Sequence, residues 1–525
     1  MSEQVESVRV IQPVEADAED DNHLLGVAKG GGITLVGKTF TNASKFATAF
    51  LLARLLGAEH YGSYQLTLNV VTLVADLALL GLDTALMRYV AIAVSRSDQK
   101  RTWGTLQIGL GIPLLLSIIA SVGVFALSYP VAEQIFHDIS LAPLLQLAAV
   151  IIPFSSMGDA LTGAVRGFKN MRYPVYAKFI IQPILKIILI VGAAVTGLKV
   201  QYAIGIFGAG ELVAAAMLVY YLNKLFKLNR PAMAAERPFR EVLTFTIPDW
   251  IAGIMDTFRL NIQSILIGSL SSIAGVGVFA VADQLNVIGH DFYTSINASA
   301  KPYIAELHDR GDDKQLERLY QATSKWSLTV NLPFFLLMVL FPVPVLSIFG
   351  KSFEGGAIAL IIMAWASLVD VGTGMCGAIL NMTGYTGLKL ANNILSLVLS
   401  ILINVILIPR WGIVGAAVSA LSATLILNLV RIVEVYVIMK ILPYNRSFFK
   451  PIAAGAITFV VSVLLSQWLP FDEGREGLIQ LAFRAALIFA VFIGLVWSMR
   501  LSEEDRLIWD RFIGKRFGFL FRNRR

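Results

Sequence analysis

Lys38 and Lys45 stand seven residues apart in one long apolar stretch, and Asp249, Asp256 and Arg259 stand at spacings of seven and three in another. Spacings of three and seven put side chains on one face of a helix. A charge held at the depth of a bilayer is costly and normally faces a cavity or a partner, so these five groups are the first candidates for chemistry. Two cations facing a shared space suit a diphosphate, which offers several charged oxygens to them. Lys186, midway through a further apolar stretch, is a third cation of this kind. A second set of groups, Asp249, Asp256, Asp283, His290 and Asp291, suits the binding of a coupling ion or proton. A plainer reading stands beside each. Asp256 and Arg259 neutralise one another on their own helix, and His290 is a satisfied polar group inside a bundle. Asp76 and Asp83 share a face of the second apolar segment and read as ties between helices. Arg431 and Glu434, three apart, read as a helix-surface pair. Asp370 has no assignment.

Other chemistries fall away. Gly32 to Thr39 matches the spacing of a phosphate-binding loop, but it sits in an apolar helical stretch with no strand before it. Neither a His-Glu-x-x-His run nor a paired Cys-x-x-Cys occurs, so no metal site and no cofactor are expected. The single cysteine, Cys376, reads as a small buried hydrophobe. No enzymatic activity is expected.

The elements that hold these groups follow from composition. Of 525 residues, 56% are hydrophobic and only 15% charged, against about 25% charged in soluble domains; the mean hydropathy is +0.70. The apolar residues come in blocks of about 20, long enough to cross the hydrocarbon as helices, and the short alternating pattern of barrel strands does not appear. The fold class expected is an all-α polytopic membrane protein with about fourteen transmembrane helices. Lys and Arg gather in the loops on the side of the termini, which places that side, and both termini, in the cytoplasm. The net charge of +7 is therefore a topology signal, and nucleic acid is not expected as a partner. Residues 1–28 read as a disordered acidic cytoplasmic tail. Residues 500–525, with Trp509, Phe512 and Phe517 among basic residues, read as an amphipathic tail on the anionic inner leaflet, a solvated basic tail being the alternative.

The two halves of the chain resemble each other at an offset of about 214 residues. The run from Gly62 matches that from Gly277, and Lys45 plus the offset lands on Arg259. The expected organisation is a six-helix bundle over 29–226, a cytoplasmic linker over 227–240 and a second six-helix bundle over 241–440. Two additional helices over 441–499 complete it. Parallel repeats imply a pseudo-two-fold axis along the membrane normal, a central cleft, and alternating access by rocking of the bundles. External loops are short, the longest near Pro130 to Leu141, which leaves a glycan ligase or polymerase little room for an outer site.

The run Ala47 to Gly62, with Ala53-Arg54-Leu55-Leu56-Gly57 inside it, followed by Gly81 to Arg88, resembles the opening of the polysaccharide flippases. These are a branch of the multidrug/oligosaccharidyl-lipid/polysaccharide (MOP) exporter superfamily. Thr383 to Gly387, Asn393 to Leu397 and Asn404 to Gly415 are similar to the turn and helix pair of the second half of that family. The resemblance covers nearly all of the chain after residue 28. It implies a V-shaped pair of bundles with a cationic cleft, and transport of a polyprenyl-diphosphate-linked oligosaccharide to the outer face for cell-surface polysaccharide biosynthesis. Partners expected on that basis are the lipid-linked glycan, membrane lipid, and glycan polymerases or glycosyltransferases. The rival on the same fold is an ion-coupled multidrug or small-solute exporter, for which the acids would matter more than the cations. A non-transporting scaffold leaves the intramembrane charges unexplained.

Overall fold

The structure, a computed structural model, describes residues 13–227, 235–468 and 475–499, with side chains from Phe40 onward except at 249, 252, 256, 259, 260, 467, 468, 475, 476 and 478. Among these residues every regular element is helical. The principal helices are α1 Pro13–Leu79, α2 Leu82–Ser95, α3 Gln99–Pro130, α4 Ala142–Ala149, α5 Ile152–Gly167, α6 Arg172–Val195 and α7 Val200–Leu225. They continue as α8 Phe239–Leu270, α9 Ile273–Asp309, α10 Asp313–Leu340, α11 Ala357–Thr373, α12 Thr386–Met439, α13 Phe449–Trp468 and α14 Arg475–Ser498. Helix α1 begins inside the segment expected to be a disordered tail. The basic tail expected over 500–525 lies outside the described residues, as do positions 228–234 of the linker.

Two helices are longer than any bilayer and are broken by glycine. Gly57 interrupts α1 at φ 74° and ψ 173°, and Gly412 interrupts α12 at φ 55° and ψ −131°. At 1.5 Å per residue the 54 residues of α12 would reach about 80 Å if straight. Instead the helix folds back on itself: Asn392 Nδ2 donates to Glu434 Oε2 at 2.7 Å, and Ser419 Oγ to the Ser400 carbonyl at 3.3 Å. Among the described residues nine helices are long and apolar enough to cross a membrane, or up to eleven when each bent pair is one span. Dividing α1 and α12 at their glycines, and counting α8 as a span, would bring the number to fourteen.

Helices α2, α3, α5 and α7 pack on one another, and α8 to α12 do the same, while α13 and α14 lie against α10. The two groups meet where α1 crosses α9, and the repeat explains how. A Cβ on Gly62 would sit 1.9 Å from the Ile273 carbonyl oxygen, and one on Gly277 would sit 2.1 Å from that of Ala58. Residues matched by the repeat therefore touch each other, with their roles exchanged, as positions beside a two-fold axis must. Glycine is required at both because the two backbones approach too closely for any side chain.

Candidate functional site

Three polar regions lie inside this apolar frame. The first is in the amino-terminal bundle. Lys178, Gln182 and Lys186 follow at intervals of four along α6, which puts them on one face. Lys178 Nζ meets Asp159 Oδ1 of α5 at 2.5 Å. Lys186 Nζ meets Glu211 Oε1 of α7 at 3.3 Å, and Gln182 Nε2 donates to the same oxygen at 2.5 Å. Lys186 also sits 3.9 Å from the centre of the Phe207 ring. The side chains of Lys186 and Glu211 are only 15% and 9% exposed, so the charge of Lys186 is met by a neighbouring helix.

The second region is a cavity of about 590 Å³ inside the carboxy-terminal bundle, walled by α8, α9, α11 and both arms of α12. His290 Nε2 and Asp370 Oδ2 are 2.9 Å apart, and Asn428 Nδ2 donates to Asp370 Oδ1 at 2.9 Å. Asp283 lines the same space with an exposed side chain, and Lys389 and Arg431 add two cations. At the offset of 215 that pairs Gly62 with Gly277, Asp76 falls on Asp291 and Asn42 on Thr257.

The third region is the seam between bundles. Asn42 Nδ2 of α1 donates to Asp291 Oδ2 of α9 at 2.9 Å, and Thr257 Oγ1 of α8 to Asp76 Oδ2 of α1 at 2.9 Å. Beyond them, at the end carrying the basic loops, Arg101 Nη2 meets Glu241 Oε2 at 2.5 Å and Arg237 Nε donates to Gln107 Oε1 at 2.9 Å. At the opposite end Arg54 Nη1 donates to the Ile348 carbonyl at 2.8 Å and the Ala58 amide to Ser352 Oγ at 3.2 Å. The bundles thus touch at both ends. Lys45 has an exposed side chain one helical turn from Asn42, on the face of α1 that bears the seam.

Of the residues singled out from sequence, Asp283 and His290 come together in the cavity and Asp291 joins the seam. Lys45 stands beside the seam, and Lys186 is tied to Glu211 within its own bundle. The side chains of Lys38, Asp249, Asp256 and Arg259 lie outside the described residues. Sequence reasoning missed Asp159 and Glu211, and left Asp370 without a role. Arg431 and Glu434 also differ from expectation: Glu434 accepts from Asn392, while Arg431 faces the cavity. A buried acid in an apolar helix was a usable signal for Glu211 and Asp370; their partners were not readable.

The sequence model described as polysaccharide biosynthesis protein matches residues 27–308, over half of the chain, and the MatE model matches residues 248–406. A protein named as the probable low-salt glycan biosynthesis flippase Agl15, from Haloferax volcanii, is 25% identical over 226 residues. That match spans 43% of this chain and only about half, 47%, of Agl15. An uncharacterized membrane protein of Methanocaldococcus jannaschii, MJ1068, is 21% identical over 84% of this chain and 89% of its own length. Among solved structures, the lipid II flippase MurJ in an inward closed conformation superposes with a TM-score of 0.67 at 12% identity, over 88% of this chain and 98% of that one. An inward-facing multidrug resistance MATE transporter of the MOP superfamily does so with 0.64 at 16% identity, over 76% and 94%. The fold is that of a multi-pass membrane transporter of this type. With a family match over residues 27–308, more than half of its length, the chain belongs to the polysaccharide biosynthesis protein family.

Proposed function

We propose that the chain is a flippase that moves a polyprenyl-diphosphate-linked oligosaccharide across the cytoplasmic membrane by alternating access, with both termini in the cytoplasm. The observation that carries this reading is the seam. Repeat-equivalent glycines pack at a crossing near a pseudo-two-fold axis, and weak polar contacts tie the bundles at both ends. Such contacts, each worth about 1–3 kcal/mol, break and re-form readily, so one end can open while the other stays shut. The names of Agl15 and of the capsular polysaccharide biosynthesis protein CapF support a glycan cargo, and that of AglR, a probable flippase, supports flipping. Lys45, with Arg259 and Lys38, takes the diphosphate, while Lys186 holds α6 to α7. The bundles extend over 29–226 and 241–440, as the repeat suggests. No catalytic residue enters this account, in keeping with relatives named as probable flippases.

In proteoliposomes, the wild-type chain is expected to flip a fluorescent polyprenyl-diphosphate oligosaccharide. Lys45→Ala is expected to slow flipping about tenfold, the loss of one charge-assisted contact of about 1.4 kcal/mol. The MatE match over the second half favours a second reading, ion-coupled export of small solutes. Gradient-driven export of small organic cations, with no movement of the lipid-linked glycan, would replace the first reading with the second.

A further inference from the structure

The cavity in the carboxy-terminal bundle is larger than its hydrogen bonds require. The Asp370 carboxylate is satisfied on both oxygens by His290 and Asn428, yet the space beside it measures about 590 Å³, within the range of small-ligand sites. Polar groups at this depth are costly unless water or a polar ligand meets them. The wall indicates which ligand. Its formal charges balance, Asp283 and Asp370 against Lys389 and Arg431, so neither an anion nor a cation is selected by net charge. No group of three or more His, Cys, Asp or Glu side chains placed to hold a metal ion occurs among the described residues. What remains is a set of neutral amides and hydroxyls, including Gln263, Asn286, Asn393, Ser396 and Thr424, facing apolar Val287 and Met363. Amides and hydroxyls both donate and accept. That mixture, with apolar patches between, matches a sugar ring, whose edge bears hydroxyls and whose faces present C–H groups.

We infer that this cavity is a glycan subsite: it takes a neutral sugar of the cargo inside the carboxy-terminal bundle, while the diphosphate stays at the cations beside the seam. The inference rests on the flippase reading for the identity of the cargo as a glycan. Its division of labour is specific, since sugar selectivity then belongs to α9, α11 and α12, and charge recognition to α1 and α8.

The native chain offers a clean probe. Its single cysteine, Cys376, is buried and lies 2.7 Å from the Tyr320 hydroxyl. A reporter cysteine at Ser396→Cys, with Asn393→Cys as a second, would be labelled by a maleimide in the full chain held in nanodiscs. A soluble N-acetylhexosamine disaccharide at several times its dissociation constant is expected to slow labelling about fivefold by mass action. Sodium chloride and inorganic diphosphate are expected to leave the rate unchanged. Adding Thr424→Val, which removes one hydroxyl at nearly constant volume, is expected to abolish most of the protection. Protection by sodium or by diphosphate in place of the disaccharide, or unchanged labelling of both reporters under every condition, overturns the inference. Because labelling reads binding alone, sugar protection without flipping in proteoliposomes would discard the flippase reading and leave the subsite standing.

Discussion

Replacing Gly62 by alanine is expected to cost the chain most of its folded population. The added methyl would lie 1.9 Å from the Ile273 carbonyl oxygen and 3.0 Å from the Gly277 amide nitrogen, and both are backbone atoms that no rotamer change can move aside. Overpacking typically costs about 1–3 kcal/mol where side chains can give way; here α1 and α9 must separate, and the crossing that joins the bundles goes with them. Gly277→Ala meets the Ala58 carbonyl at 2.1 Å and is expected to behave alike. The two substitutions act on one contact, so the double variant is expected to be less than additive. Gly111→Ala is the control: nothing lies within 4 Å of its Cβ, and alanine in a helix gains up to about 1 kcal/mol. Thermal melting of detergent-solubilised protein by size-exclusion fluorescence separates the three. Melting of Gly62→Ala at the wild-type temperature would show that the crossing is not where the bundles are held.

Glu211→Ala is expected to be nearly as damaging, and its rescue is informative. Removing this carboxylate strands Lys186 in a wall of α6 and α7 with its charge unmet, and also unpairs Gln182. Breaking a buried ion pair from one side costs about 3–5 kcal/mol, whereas replacing both partners by apolar groups of similar volume is often neutral. The pair Glu211→Leu with Lys186→Met is therefore expected to recover most of the melting temperature that Glu211→Ala loses, the share due to the unpaired Gln182 amide staying lost. Flipping should recover with it if Lys186 only ties helices. A stable double variant that cannot flip would return Lys186 to the substrate, as its position in the sequence first suggested.

The parts of this architecture that were legible in the sequence are those set by local or periodic rules. The length of the apolar blocks gave helices, and the offset of about 214 residues gave two equivalent bundles, which the mutual contact of Gly62 and Gly277 makes physical. The ion pairs were not legible. Lys178 and Asp159 are 19 residues apart and Lys186 and Glu211 are 25 apart, and no spacing rule says which faces of two helices will meet. The same limit explains Arg431 and Glu434. Their spacing of three fits a pair on one helix, but the reversal at Gly412 brings Asn392 of the opposite arm to Glu434. His290 was singled out and Asp370 was not, although they form one hydrogen-bonded unit, because 80 residues separate them.

The most direct test of the central claim, that the bundles part and close at this seam to move a lipid-linked glycan, is a reversible lock across it. Asn42→Cys with Asp291→Cys replaces a hydrogen bond that spans α1 and α9, and a short disulfide-containing bifunctional thiol reagent would join the two. Cross-linked protein in proteoliposomes is expected to stop flipping fluorescent polyprenyl-diphosphate oligosaccharide, and to resume when the link is reduced. Flipping at an undiminished rate with the link intact would contradict the account.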